Sequence, residues 1–299
     1  GKKLFLNKKE REERDKMLWL KRKSKTPRVT EDGVHETVSR MLREIQAGGE
    51  EKALQYAREL DGFDGDVAGG VVVSEQEFAE AERSLNDITR EDIRMAHDAI
   101  RAFATAQRDS VSDLCREDYP WPGMVTGHRL IAVDVAGCYV PGGRFAHVAS
   151  ALMTVATARA AGVQKVVVCS PPRRDTGRIH AGVLFAAKLA GADHVITLGG
   201  VQAICALAYG LFSGCRPASV IVGPGNRFVV EAKKQLFAMG QVGIDIIAGP
   251  TETCCLADED ADVNLIATDL VGQAEHGHDS PAVLVTTSRH VAEQVLALI

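Results

Sequence analysis

Lys165-Val-Val-Val-Cys169 is a short, largely apolar run whose surroundings decide how this chain folds. An Ala-rich stretch, Gly177–Ala190, follows it, and a second β-branched run, His194-Val-Ile-Thr-Leu198, comes next. The same alternation continues through Ser219-Val-Ile-Val222 and the helical pattern Asn226–Phe237. Short apolar runs separated by helices predict right-handed βαβ units, and therefore a parallel sheet with helices packed on it.

Flanking segments predict further elements. Leu130-Ile-Ala-Val-Asp-Val135 alternates in the manner of a strand, and Tyr139-Val-Pro-Gly-Gly143 supplies a turn that closes it. Nearer the N-terminus, apolar residues at three- and four-residue steps predict helices on both sides of Gly48-Gly49. Val71-Val-Val73 predicts a short strand, and Ser74-Glu-Gln-Glu77 has the spacing of a capping box that opens the next helix.

After Gly243 the sequence contains three more runs that predict strands: Ile244-Asp-Ile-Ile247, Thr253-Cys-Cys-Leu256 and Ala282-Val-Leu-Val-Thr286. Together these elements predict an α/β protein of two Rossmann-like domains, with parallel-type sheets flanked by helices. Residues 1–26 are dense in Lys, Arg and Glu and predict an N-terminal helical arm. This arm is either solvated or packed on a partner subunit through Trp19 and Leu18.

Composition excludes several classes of protein. A net charge of −5 argues against a nucleic-acid partner, because no basic excess exists to neutralise phosphates. No run of 18 apolar residues occurs, so we expect no transmembrane helix and no membrane partner. The seven cysteines are scattered, and most lie inside apolar runs: Cys138, Cys169, Cys205, Cys254 and Cys255. This usage predicts buried, reduced, unreactive thiols and a cytoplasmic location, with an organellar matrix also open.

Three Gly-rich turns follow predicted strands and predict a ligand crevice. Tyr139 ends one strand before Pro-Gly-Gly, at the sheet edge where open α/β sheets bind ligands. Gly199-Gly200, with Gln202 in the next turn, would let a helix N-terminus approach a phosphate, and Gly223-Pro-Gly-Asn226 repeats the arrangement. Because the usual G-x-G-x-x-G fingerprint is absent, a dinucleotide site must be built from such turns.

Gln273 and His276 form the candidate metal pair. They are three residues apart, so on a helix they share one face. An amide oxygen and an imidazole aimed at one point can hold a divalent metal and leave positions open for substrate. The alternative is a polar helix end in which the His has a capping role.

Six motifs occur in the order and at about the spacing seen in one family: Tyr139-Val-Pro-Gly-Gly143, Gly199-Gly-Val-Gln202-Ala-Ile, Val222-Gly-Pro-Gly-Asn226, Glu231-Ala-Lys-Lys-Gln235, Ala248-Gly-Pro-Thr-Glu252 and Gly272-Gln-Ala-Glu-His-Gly277. From about Pro27 to the last residue the chain resembles the histidinol dehydrogenase family. The resemblance implies a homodimeric enzyme that uses Zn²⁺ and NAD to oxidise an alcohol to a carboxylate in two hydride transfers. It also implies that residues 139–249 form an NAD-binding domain inserted into a first domain made of 27–138 and 250–299.

The resemblance assigns roles to single residues. Tyr139, Gln202 and Asn226 match NAD contacts, and Thr251 matches a substrate contact where the family usually carries Ser. Gln273 and His276 match two zinc ligands that also contact the substrate. The family's other two ligands, an Asp and a His, and its Glu-His acid/base pair are expected beyond Ile299. We therefore expect no catalytic residue within these 299 residues.

One departure from the family pattern bears on the substrate. Gly142-Gly-Arg144-Phe145 replaces the usual Thr/Ser-Ala form and resembles the family members that oxidise a small sulfonated diol. Arg144 suits a sulfonate or carboxylate, although it could instead serve the NAD pyrophosphate or a surface ion pair. Oxidation of L-histidinol and a non-catalytic, structural role for a shortened homologue remain as alternatives.

Overall fold

A computed structural model of the chain describes residues 20–21, 31–63, 70–142, 146–212, 214, 216–247, 252–274 and 280–299. Contacts divide the chain into a large unit, Thr30–Gly249, and a small unit made of Gly1–Val29 and Pro250–Ile299. In chain order the large unit contains α1 (Glu31–Tyr56), a π-helical turn (Ala57–Asp61), α2 (Glu75–Ser84), α3 (Asp87–Asp109), β1 (Leu114–Arg116), β2 (Thr126–His128), β3 (Val135–Tyr139), α4 (Val148–Ala160), β4 (Lys165–Ser170), α5 (Ala181–Ala190), β5 (His194–Thr197), α6 (Gly200–Tyr209), β6 (Val220–Val222), α7 (Arg227–Ala238) and β7 (Gly243–Ile244). The small unit contains β8 (Thr253–Ala257), α8 (Val263–Ala274), β9 (Ala282–Thr286) and α9 (Arg289–Leu298).

A five-stranded parallel sheet in the order β5-β4-β3-β6-β7 is the centre of the large unit. Adjacent residues of β4 show how the sheet is covered, because Val166 and Val168 belong to one hydrophobic core and Val167 to the other. The first core contains residues of α2 to α5, and the second contains residues of α1, α6 and α7. Both faces of the sheet are therefore buried, as a parallel sheet requires.

The predicted α/β class is confirmed, and most of the predicted runs form the expected elements. β4, β5 and β6 begin within a residue of the runs that predict them, and Ala282–Thr286 is a strand as expected. Ser74 and Glu77 form the predicted capping box. Gly49 interrupts α1 with a φ of 58° and a ψ of −141°, which is the break that Gly48-Gly49 predicts.

Three predicted strands are wrong or too long. Val71–Val73 makes only a single antiparallel bridge to β5, through Val72 and Ile196. The strand predicted over 130–135 begins at Val135 and runs to Tyr139, and residues 130–134 are exposed. The run predicted over 244–247 pairs only at its start, in β7, where Ile244 is its last strand residue.

Within the large unit, helices α1 to α3 pack on the helices that cover the sheet. The motif Glu231–Gln235 explains part of this packing: Ser39 donates to Gln235 Oε1 at 2.8 Å, and His35 Nδ1 lies 2.7 Å from Glu231 Oε1. These bonds join α7 to α1. The discontinuous domain of residues 27–138 and 250–299 stays a prediction. The arm predicted over 1–26 falls outside the described residues, apart from Leu20 and Lys21.

The small unit pairs β8 with β9 in parallel and packs α8 and α9 on one face of the pair. Cys255 and Leu284 contact these helices, whereas Cys254 and Leu256 on the same strand are exposed. The prediction of a buried Cys254 is therefore wrong, because strand residues alternate between faces and the helices cover only one of them. Cys138, Cys169 and Cys205 are buried as predicted.

None of the helices in the described ranges has the length and apolar character needed to cross a membrane.

The N-terminus of α5 yields a pH-dependent prediction. The Nδ1 atom of His180 accepts a hydrogen bond from the Gly182 amide at 3.1 Å, so it caps the helix only while it is unprotonated. Burial lowers the pKa of His180 below its ordinary value of 6.5, and the positive charge of Arg173 acts in the same direction. The capping contribution is complete above pH 6.5 and is lost as the pH falls through the lowered pKa.

We expect His180→Asn to keep the cap without titrating. Between pH 7.5 and 5, the wild type should lose about 1 kcal/mol of unfolding free energy relative to this variant. His180→Ala should be less stable than His180→Asn at both pH values, by about 1 kcal/mol. Urea unfolding at the two pH values measures this, and equal pH dependence of wild type and His180→Asn would contradict it.

Candidate functional site

The strand order locates the candidate site. After β3 the chain builds β4 and β5 on one side, and it then returns to add β6 on the other side of β3. The connections reverse direction between β3 and β6, which makes this the topological switch point of the sheet. All five strands are parallel, so the turns that follow β3, β5 and β6 lie at one edge. Open α/β sheets bind ligands at this place.

Tyr139 ends β3 beside the switch point and is 4% exposed. Its hydroxyl accepts a hydrogen bond from the Gly200 amide at 3.3 Å, which links β3 to the start of α6. Burial raises the pKa of the Tyr139 hydroxyl well above its ordinary value, so this group stays neutral. Tyr139 therefore acts here as a neutral polar anchor between two of the three turns.

Gln202 and Asp61 meet at the start of α6. Asp61, at the end of the π-helical turn, accepts a hydrogen bond from Gln202 Nε2 at 2.8 Å. The same Oδ2 atom accepts one from the Gly199 amide at 3.2 Å. Gly199 is required here, because a Cβ on it would lie 2.6 Å from the Cβ of Pro171 and 3.0 Å from Asp61 Oδ2. The amides expected to face a phosphate thus donate to groups of the protein itself.

The turn after β6 is held by a buried lysine. Lys233, on α7, is 2% exposed, and its Nζ donates to the Gly223 carbonyl at 3.0 Å and forms an ion pair with Asp245. Asp245 Oδ2 in turn accepts from the Gly223 amide at 2.8 Å. Both backbone groups of Gly223 are therefore fixed by one ion pair, which sets the path of the turn that leads into Asn226.

Asn226 caps α7. Its Oδ1 accepts hydrogen bonds from the amides of Phe228 at 3.0 Å and Val229 at 3.2 Å. With Oδ1 occupied, the exposed side chain presents its Nδ2 group as a donor. The residues predicted to contact NAD are Tyr139, Gln202 and Asn226. Tyr139 is the last residue of β3, and Gln202 and Asn226 come after β5 and β6, at the same edge of the sheet. Their role as NAD contacts stays a prediction.

Three of the predicted site residues, Arg144, Thr251 and His276, lie outside the described residues. Gln273 is described: it lies near the end of α8, is 9% exposed, and its Oε1 accepts a hydrogen bond from Thr253 Oγ1 at 3.0 Å. Among the residues that the structure describes, no group of three or more His, Cys, Asp and Glu side chains could hold a metal ion. The described residues alone therefore do not make up a zinc site.

A nucleophilic cysteine is disfavoured at this edge. Cys138 precedes Tyr139 on β3, and burial raises the pKa of its thiol to about 12. Burial also raises the pKa of Cys169, one residue from the end of β4. Both thiols stay protonated near neutral pH, in agreement with the prediction that they are unreactive.

Three residues that organise the site were not assigned a role from the sequence: Asp61, Lys233 and Asp245. Asp61 begins an Asp-Gly-Phe-Asp segment, and nothing in the neighbouring sequence indicates its partner. Lys233 lies inside one of the six motifs, and a lysine in a helix that otherwise packs on the core indicates a buried partner. Asp245 carries no local signal, because its contacts depend on the strand order.

Comparison with known proteins identifies the family to which this chain belongs. The histidinol dehydrogenase family model matches residues 24–299, so the chain belongs to the histidinol dehydrogenase family. The crystal structure of histidinol dehydrogenase from Elizabethkingia anophelis superposes with a TM-score of 0.76 at 28% identity. That match covers 93% of this chain and 61% of the solved one.

Three curated relatives match most of this chain. Sulfopropanediol 3-dehydrogenase of Ruegeria pomeroyi is 46% identical over 94% of this chain and 62% of its own length. A histidinol dehydrogenase homolog of the same organism is 49% identical over 91% of the chain and 60% of its own length. Histidinol dehydrogenase of Methanosarcina mazei is 42% identical over 88% of the chain and 58% of its own length. The chain therefore spans about three fifths of the length of these curated relatives.

The Gly223 turn gives a direct stability test. Gly223 has a φ of +120°, and a Cβ there would lie 2.1 Å from the Tyr139 carbonyl oxygen. Gly240 also has a positive φ, of +70°, but a Cβ there meets nothing within 4 Å. We expect Gly240→Ala to lower the unfolding free energy by about 1 kcal/mol, through backbone strain alone.

Gly223→Ala should cost about 2–4 kcal/mol, because a backbone clash adds to the same strain. Urea unfolding of both variants gives the two values under identical conditions. Similar losses for the two alanines would show that the β6 turn is not packed against β3 as described.

Proposed function

We propose that this chain carries the NAD-binding part of a dehydrogenase that oxidises a small polar primary alcohol through the aldehyde to the carboxylate. The observation that supports this most strongly is the set of Tyr139, Gln202 and Asn226 at one switch point, in a member of the histidinol dehydrogenase family. A dinucleotide offers both hydrogen-bond donors and acceptors along its length. An unpaired acceptor on Gln202 and a donor on Asn226 suit such a ligand.

The proposed substrate is a small anionic diol of the sulfopropanediol type. Two observations favour it over L-histidinol. The relative named sulfopropanediol 3-dehydrogenase is 46% identical to this chain, and Arg144 follows Gly142-Gly143 in the form that resembles such enzymes. A guanidinium forms paired, charge-assisted hydrogen bonds with a sulfonate or carboxylate, whereas a neutral imidazole offers it a single uncharged acceptor nitrogen.

Zinc and a second subunit complete the proposal. The family resemblance gives Gln273 and His276 as two zinc ligands, and zinc would act as a Lewis acid that favours the alkoxide of the substrate. A homodimer is proposed on the same ground. Both features rest on the family assignment. A cytoplasmic location is proposed from the scattered cysteines, of which Cys138, Cys169 and Cys205 are free and buried.

An NADH-formation assay tests the substrate, on a form of the protein completed with the family's part that is expected beyond Ile299. At equal concentrations of NAD and zinc, we expect a higher kcat/KM with sulfopropanediol than with L-histidinol. Arg144→Met should lower kcat/KM for the sulfonated diol roughly ten- to a hundredfold, the equivalent of a charged hydrogen bond worth about 1.5–3 kcal/mol. The control is Arg43→Met, which removes an exposed arginine from α1 and should leave kcat/KM unchanged.

Efficient turnover of L-histidinol, with no effect of Arg144→Met, would assign the chain to the histidinol branch instead. NAD binding by the completed form without oxidation of either alcohol would contradict the proposed activity and favour the structural alternative.

A further inference from the structure

Gln202 is fully buried, and one end of its side-chain amide is committed to Asp61. The Nε2 group donates to Asp61 Oδ2, which also accepts from the Gly199 amide. Asp61 and Gln202 are 141 residues apart in sequence, so the fold rather than local geometry brings them together. Among the residues that the structure describes, Oε1 of Gln202 is a buried side-chain atom with no hydrogen-bond partner.

The carboxylate fixes which way the amide points. A carboxylate only accepts hydrogen bonds, so it selects the orientation of Gln202 with Nε2 towards it. A reversed amide would place Oε1 against Asp61 Oδ2 and leave two acceptors facing each other. Burial raises the pKa of Asp61, while Gln202, Gly199 and the charge of Arg174 act in the opposite direction. Gln202 therefore presents an acceptor on its other side.

An unpaired acceptor in a buried position requires a donor. A phosphate oxygen carries none at neutral pH, and its charge would lie close to that of Asp61. The α6 amides that could bind a phosphate already donate to Asp61 and to the Tyr139 hydroxyl. The turn after β6 offers a donor instead of an acceptor. Asn226 uses its Oδ1 atom to cap α7, so its Nδ2 group is presented as a hydrogen-bond donor.

We propose that Asp61 is a positioning residue that makes Gln202 Oε1 the acceptor for a hydroxyl or amide N–H group of the dinucleotide. The pyrophosphate then lies away from the α6 N-terminus, on the Asn226 side of the switch point. This inference rests on the proposed NAD-binding function. It adds that the pyrophosphate lies on the Asn226 side of the site, and that Asp61 fixes the orientation of the Gln202 amide.

Calorimetric binding to the full chain tests the inference without relying on turnover. The probes are NAD and analogues that each lack one donor: the 3-acetylpyridine form without the carboxamide NH₂, the unsubstituted purine form without the adenine NH₂, and forms lacking one ribose hydroxyl. We expect one of these to bind the wild type about tenfold more weakly than NAD, because it leaves a buried acceptor unpaired.

In Asp61→Ala the amide of Gln202 can rotate, so the preference for NAD over that analogue should fall to about twofold or less. Asp61→Asn should retain the preference. Its Oδ1 can accept from both Gly199 and Gln202, whereas the flipped amide would leave the Gly199 amide unpaired. The control Asp92→Ala, at an exposed position of α3, should bind every probe as the wild type does.

Gln202→Glu provides a second test that leaves Asp61 in place. The new carboxyl group can bond to Asp61 only while one proton is shared between them, so NAD affinity should fall as the pH rises. The other groups facing this pair are Tyr139, which stays neutral because burial raises its pKa, and Arg174, whose charge is permanent. Wild-type affinity should vary less over the same pH range.

Each outcome decides a different point. An unchanged preference in Asp61→Ala, or NAD affinity of Gln202→Glu that does not depend on pH, would overturn the positioning role of Asp61. Tight NAD binding with no discrimination among the analogues would overturn the acceptor role of Gln202 alone. Absence of NAD binding to the wild type would overturn the proposed function itself, together with this inference.

Discussion

The candidate site depends on the hydrogen bonds that the carboxylate of Asp61 accepts from Gly199 and Gln202. The carboxylate lies at the N-terminus of α6, where the positive end of the helix dipole favours a negative charge. Its hydrogen bonds to Gly199 and Gln202 offset part of the cost of burying it. The family of α/β folds commonly uses such a helix start for a ligand anion, whereas here the protein supplies the anion itself.

A second buried charge holds the turn on the other side of the switch point. Lys233 and Asp245 bond to the carbonyl and the amide of Gly223, so the path of this turn is set before any ligand arrives. Tyr139 lies between the two turns and contacts the first through Gly200. The edge of the sheet is consequently pre-organised, with an acceptor at Gln202 and a donor at Asn226. For the dinucleotide that we propose as the ligand, pre-organisation of this kind lowers the entropy cost of binding.

The sequence predicts those features that local patterns determine. The strands β4, β5 and β6 are β-branched runs separated by helical patterns, so their existence and the parallel sheet follow from periodicity. The capping box at Ser74 and the break at Gly49 follow from side-chain chemistry over a few residues. Val71–Val73 has the composition of a strand, but its pairing is limited to one bridge at the edge of the sheet, which composition does not reveal.

Contacts between distant segments escape this kind of prediction. The bond between Asp61 and Gln202 joins residues 141 positions apart, and the exposure of Cys254 depends on which face of β8 the helices cover. The family resemblance assigns Tyr139, Gln202 and Asn226 to one ligand, but it does not give the direction in which each amide points. That direction follows only from the hydrogen bonds of Asp61 and of the α7 amides.

A crystal structure of this chain with NAD bound tests the central claim most directly, because it locates the pyrophosphate relative to the two helix starts. We expect a hydroxyl or amide nitrogen of the cofactor within about 3 Å of Gln202 Oε1, with Asp61 still bonded to Gly199 and the pyrophosphate on the Asn226 side. A pyrophosphate bound to the amides of Gly199 and Gly200, with the Asp61 carboxylate displaced, would contradict this arrangement.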